Sequence, residues 1–182
     1  TICAPTCHHD AIMVGAQKGI RIGFAVNQAR QWCDLPPCIL NPAHLADAAA
    51  GIARGHSNLS CKVFTGPECK KMGMGGIQAV SQGSANEARF VVMEYKPEFP
   101  TDQTIALVGK GVTFDTGGIS IKPALNMEDM KDDMAGAAAV IATMEAIAHL
   151  KPHVNVVAFT PLVENMPSGT ALEQTADVMR EM

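Results

Sequence analysis

Between Val108 and Met134 the chain reads VGKGVTFDTGGISIKPALNMEDMKDDM, and four side chains in it have the right chemistry to handle a metal-bound water: Lys110, Asp115, Lys122 and Asp133. Carboxylates are hard oxygen donors suited to Zn²⁺, Mn²⁺ or Mg²⁺. Asp115 lies in a glycine-punctuated loop and Asp133 at the start of a helical pattern, so the two meet if loop and helix converge at a strand end. The same two acids and two lysines can equally satisfy one another as salt bridges, and residue type leaves both readings open. Glycines 109, 111, 117 and 118 allow tight turns and close backbone approach. They do not spell a phosphate-binding loop, because Lys110 is not followed by Ser or Thr. Nor is there a Gly-x-Gly-x-x-Gly run with an acid about twenty residues on.

The flanking sequence must position these groups. Thr104 to Val108 is short, apolar and β-branched enough to read as a buried strand. Met134 to Leu150 reads as a helix whose face Met134, Ala137, Ala138, Ile141, Met144 and Ala148 is small and apolar, suited to close packing on a sheet. Glu128, Asp129, Asp132 and Asp133 fall in or before its first turn, where the helix dipole favours acids. Val154 to Thr160 reads as another buried strand, so strand, helix and strand imply a parallel crossover. Ligands of open α/β sheets bind at the carboxyl ends of such strands, where the loop begins. Glu164 and Asn165, beyond the second strand, are expected to shape a turn.

Upstream, apolar residues at near-helical spacing from Ile20 to Trp32 predict a helix that ends near Cys33, before Asp34-Leu35-Pro36-Pro37. Asn41 as N-cap and Pro42 in the first turn open a second helix to about Ala53, with His44 read as a surface or capping residue. Cys61 to Thr65 is a plausible strand. Gly66-Pro67-Glu68 then starts a short helix over Cys69 to Met72, broken by Gly73-Met74-Gly75-Gly76. Arg89 to Lys96 is a clear strand, expected to pair with Thr104–Val108 through the loop Pro97 to Gln103. The cluster Cys3, Cys7, His8, His9 lacks a matching second half for a structural zinc site and reads as mobile linker.

The composition suits one domain, or a large piece of something bigger: 182 residues, 47% hydrophobic, formal charge −4. Without a run of Lys or Arg there is no electrostatic footprint for nucleic acid. No window approaches the roughly 18 consecutive apolar residues of a membrane span. Six cysteines in a chain without a signal-peptide pattern predict a reduced, cytoplasmic protein.

GKGVTFDTGGISIKP followed by MKDDMAGAAAV closely resembles the leucyl aminopeptidase (cytosol aminopeptidase) family of dinuclear metallopeptidases. The likeness runs from about Gly23 to Ala171 and includes WCDLPPCILNP, Met72 to Gly76, SQGSANEARFVVMEY and VENMPSGTA. It implies that Lys110 ligates one of two divalent ions (Zn or Mn) through a neutral amine, that Asp115 bridges both and that Asp133 binds one. It implies that Lys122 is catalytic and protonated. Spacing does not separate Asp132 from Asp133; the family's ligand is the Asp directly before Met, here Asp133. The implied reaction is removal of N-terminal residues, apolar and leucine-like by preference, from peptide substrates by a bridging water. Family members are hexamers, so a homo-hexamer is the implied assembly. The implied fold is a mixed, largely parallel α/β sheet with helices on both faces. Residues 1–18 would be a linker from a preceding domain, and residues 19–182 the N-terminal part of the catalytic domain.

Two departures accompany the resemblance. The family's Asn-Thr-Asp-Ala-Glu-Gly-Arg motif supplies further carboxylate ligands and an arginine that holds bicarbonate, and no such run occurs before Met182. Thr175-Ala176-Asp177-Val178 also stands where the family has Pro-Gly-Asp-Val. Two close cations would then lack the negative charge that offsets their repulsion. The expectation is a fragment with at most weak metal binding and no turnover, its parent supplying the missing ligands. The alternative is a catalytically incomplete scaffold or binding module on the same fold; nucleic-acid binding finds no support in the acidic balance.

Overall fold

The sheet is built around one strand, β5 (Asn155–Asn165), whose two edges are both paired in the computed structural model, which describes residues 9–171. Along one edge runs β2 (Arg89–Tyr95), antiparallel, with Met93 opposite Ala158. On the other edge two short strands follow one another, both parallel to β5. They are β3 (Thr104–Val108), with Val108 opposite Phe159, and β4 (Gly111–Asp115), with Gly111 opposite Leu162. Outside β2 lies β1 (Leu59–Thr65), antiparallel. The sheet is mixed, as expected, but β2 pairs with β1 and β5 rather than with β3. The loop Pro97–Gln103 therefore joins strands on opposite edges of β5.

Helices α1 (His9–Asp34), α2 (Pro42–Arg54) and α5 (Ala135–Leu150) bury their apolar sides in one cluster. It contains Trp32, Leu45, Ala49 and Ile141 together with Val91, Met93, Tyr95, Val156, Ala158 and Leu162. Those strand residues share one face of the sheet by register and alternation. The three long helices therefore lie on that face. The opposite face carries a half-buried aromatic row, Phe64, Phe90 and Phe159, with neighbouring ring centroids 6.1 and 6.2 Å apart. The face expected of α5 is buried at every named position from Met134 to Ala148. Met127–Leu150 is long and apolar enough by length and composition to cross a membrane, yet this is the helical segment that packs on the sheet.

Local chemistry accounts for the element ends. The Asn41 side chain accepts from the N–H groups of Ala43 and His44 at 3.0 and 3.1 Å, with Pro42 in the first turn of α2. Thr65 and Glu68 exchange a capping box at the start of α3 (Gly66–Lys71). A further helix, α4 (Gly75–Ser81), begins inside the glycine run read as a helix breaker. The helix expected from Ile20 starts at His9 instead, so residues 9–18, read as linker, are helical. Cys3, Cys7 and His8 lie outside the described residues, as do Thr175–Val178.

The expectation of a buried strand at Thr104–Val108 is corrected: β3 is the outer neighbour of β5, and Ile105 and Val108 are 50% and 73% exposed. Apolar composition marks a strand, whereas burial depends on its place in the sheet. Ile141→Ala, at a fully buried site, is expected to cost about 3 kcal/mol of stability, and Ile105→Ala less than about 1 kcal/mol. Urea unfolding of the two variants checks the order.

Candidate metal centre

The backbone around Lys110 is what brings the candidate groups together. A Cβ on Gly109 would lie 2.5 Å from the Gly136 carbonyl oxygen, and one on Gly111 would lie 2.4 Å from the Leu162 side chain. Glycine at 109 lets the segment pass over the first turn of α5, and glycine at 111 lets it seat against Leu162 and Pro161 of β5; the Ala137 N–H donates to the Lys110 carbonyl at 2.8 Å. That bond satisfies one of the helix's first free N–H groups. Asp133, just ahead of α5, then lies beside the lysine: Lys110 Nζ donates to Asp133 Oδ1 at 2.6 Å. Of the acids expected in or before the first turn of α5, Glu128, Asp129 and Asp132 occupy a separate 3-10 turn, Met127–Asp132, and Asp132 is exposed.

The segment read as a glycine loop begins with a strand, β4, which ends on Asp115. Its pairing steps three residues, from Val112 to Asp115, while β5 steps two, from Val163 to Asn165. This bulge re-aims the end of the strand. Asp115 Oδ1 accepts from the Asn165 side-chain amide at 2.6 Å and from the Gly117 N–H at 3.1 Å, and Lys122 Nζ donates to Oδ2. Gly117 and Gly118 have φ of +87° and +65°, the left-handed region that glycine enters without strain. Their turn is closed by the Lys122 N–H donating to the Thr116 carbonyl at 2.8 Å. Lys122 also reaches Met130 Sδ at 3.3 Å, tying the loop to the 3-10 turn.

Burial by itself pushes the Asp115 carboxyl up, but hydrogen bonds from Lys122, Asn165 and Gly117, with the Lys122 charge, outweigh it and hold the group below its ordinary value. The structure thus brings the four expected residues together as two ion pairs, Lys110 with Asp133 and Lys122 with Asp115. One atom is left over: Asp133 Oδ2 is buried with no hydrogen-bond partner. A buried, unpartnered carboxylate oxygen is costly unless a cation or donor reaches it. An oxygen of that kind, on a carboxylate, is the hard donor type that suits a divalent cation, and Asp115 carries the same donor type.

Glu164 and Asn165 are not turn residues but the last two positions of β5. Asn165 is the residue that orients Asp115. Glu164, 4% exposed, accepts from the Asn86 amide at 3.1 Å and from Ser84 Oγ. The sequence signal for both was the apolar run continuing past Pro161. Pro161 sits at the step where β5 changes partner from β3 to β4, which is where a residue without an N–H is tolerated.

Because the folded Asp115 titrates below its unfolded counterpart, its stabilising contribution is complete above the ordinary value of 3.8 and is lost as pH falls below it. Asp115→Asn is therefore expected to flatten the dependence of stability on pH from about pH 5 down to about pH 2. Urea midpoints measured across that range check it; parallel curves for the two proteins would contradict it.

Comparison with known proteins bears on what such a site does. Residues 27–182 match the model of the cytosol aminopeptidase family, catalytic domain. The chain is 44% identical to a probable cytosol aminopeptidase of Roseiflexus castenholzii over 182 residues, which is the whole of this chain and 37% of that protein. A probable cytosol aminopeptidase of Chlorobaculum parvum is 46% identical over 172 residues, covering 94% of this chain and 34% of its own length. Among solved structures, the bottromycin maturation enzyme BotP in complex with Mn superposes with a TM-score of 0.78 at 40% identity, over 86% of this chain and 34% of that one. The apo leucyl aminopeptidase from Trypanosoma cruzi gives 0.79 at 30% identity, over 87% of this chain and 31% of that one. The chain spans about a third of the length of the curated relatives it matches. On a match over residues 27–182, the chain belongs to the cytosol aminopeptidase family.

Proposed function

We propose that the full-length protein is a metal-dependent aminopeptidase that releases N-terminal residues, leucine-like by preference, from peptides at a site of two divalent ions. The observation that carries this reading is the pairing of Lys110 with Asp133 and of Lys122 with Asp115, leaving Asp133 Oδ2 unpartnered, in a chain of this family. Lys110, Asp115 and Asp133 are the ligands and Lys122 is the catalytic cation. Zn²⁺ or Mn²⁺ suits the donors, and a relative solved in complex with Mn supports manganese. When bound, the ions supply Lewis acidity toward the scissile carbonyl and a hydroxide-strength nucleophile near neutral pH.

The chain's own residues do the rest. As a ligand Lys110 would have to be the neutral amine, its proton lost to solvent; its pair with Asp133 Oδ1 would then open and leave both Asp133 oxygens available to hold an ion. Asn165 and Gly117 fix the Asp115 carboxylate independently of Lys122, so its aim survives the departure of the lysine. Lys122, partly exposed, keeps a positive charge within the site for the oxyanion that develops on peptide attack. Two carboxylates oppose the four positive charges of two divalent ions and the further charge of Lys122, so the 182-residue chain alone is expected to be inactive. Other parts of a longer protein then provide the remaining carboxylates and the bicarbonate-holding arginine. A cytoplasmic homo-hexamer completes the reading.

The test is metal content and leucine-amide hydrolysis by the longer protein. Asp115→Ala should abolish both, while Lys122→Ala should retain the metal and lower kcat by about 100-fold or more. A longer protein that neither holds metal nor hydrolyses the amide would overturn the enzyme reading in favour of a scaffold.

A further inference from the structure

At the other end of β5 from Asp115 and Asn165, a cleft of about 750 Å³ opens between the α2–β1 turn and the last turn of α5. Its walls include His56, Asn58, Tyr95 and His149. Glu145 and His149 are four residues apart on α5, which puts them on one face of the helix. His56 follows α2 and meets His149 edge to face, ring centroids 4.5 Å apart and planes at 89°. One ligand-type atom from each of His56, Glu145 and His149 lies within 4.8 Å of the other two, and all three residues are half-buried.

Hydrogen bonds tie together the frame that holds these groups. The Asn58 side-chain amide donates to the Ala148 carbonyl at 3.0 Å, fastening the α2–β1 turn to α5. The Lys96 N–H donates to the Asn58 carbonyl at 3.0 Å, and Tyr95 OH donates to the Pro152 carbonyl at 3.0 Å. Two imidazoles and one carboxylate, with an open side toward water, are the donor set of a three-ligand transition-metal site. A tetrahedral ion about 2.1 Å from each donor needs donors about 3.4 Å apart, so the three atoms, now within 4.8 Å of one another, would have to draw together on binding.

We propose that His56, Glu145 and His149 form a second metal site, separate from the Lys110–Asp133 region, that takes one Zn²⁺ and clamps the α2–β1 turn to the end of α5. Arg21 on α1 faces the same cluster, and Lys96, Glu98 and Lys151 line the cleft. Glu145 supplies one negative charge toward those of Arg21 and the ion. Burial and the Arg21 charge hold His149 below its ordinary value, favouring the neutral imidazole that ligates.

The experiment is a Zn²⁺ titration of the 182-residue chain followed through assigned histidine ring nitrogens by NMR, which separates His56 and His149 from every other donor. The two rings are expected to shift together and saturate at one ion per chain. Glu145→Gln, nearly isosteric, should weaken that transition by about tenfold or more. His149→Ala should abolish the shift of His56. Unshifted rings at millimolar zinc, or rings that titrate independently with unequal affinities, would overturn the proposal. So would a Glu145→Gln variant that binds as tightly as the parent.

Discussion

Everything at the candidate centre depends on one close approach, that of the Gly109–Gly111 backbone to the start of α5. The Lys110 carbonyl takes the Ala137 N–H at 2.8 Å, and a Cβ on Gly136 would stand only 3.0 Å from the Lys110 nitrogen. Side chains at 109, 111 or 136 would push the strand edge and the helix apart. With them apart, Asp133 would no longer reach Lys110, and its buried oxygen would lie in a different environment. The strand, the helix and the ion pair are therefore one mechanical unit, and the apolar face of α5 on β5 is what presses it together.

The second constraint is charge. Carboxylates taken out of water must be paired, and Asp115 and Asp133 each have a lysine as counterion. The pairing is uneven. Asp115 is held by Asn165 and Gly117 as well as by Lys122, whereas Asp133 has one oxygen on Lys110 and the other on nothing. A lysine that loses its proton and a cation that arrives leave the local charge balanced only when enough carboxylates are present. The proposed inactivity of the 182-residue chain and the proposed activity of a longer protein follow from that one requirement.

Sequence periodicity sufficed where local rules decide structure. The buried face of α5, the Asn41-Pro42 start of α2 and the parallel return from β3 through α5 to β5 could all be read from it. What failed was non-local. TIALV looks like any buried strand, and only the sheet order shows that it lies outside β5 with Ile105 and Val108 open. The β4 strand was hidden by its flanking glycines, and Pro161 made β5 seem to end early. Asn165 went unseen as a partner of Asp115 because the two are joined by register across fifty residues. Spacing alone left both metal ligands and ion pairs open and leaned toward the ion pairs. The structure contains the ion pairs, and it adds the orphaned Asp133 oxygen that favours a cation.

The most direct measurement is anomalous diffraction at the manganese edge from crystals of the longer protein grown with Mn²⁺. The account predicts manganese bound by Asp115 and Asp133 Oδ2, with the 2.6 Å hydrogen bond from Lys110 to Asp133 replaced by a bond from Lys110 Nζ to the ion. Crystals without an anomalous peak there, and with both lysine–aspartate pairs intact, would contradict it.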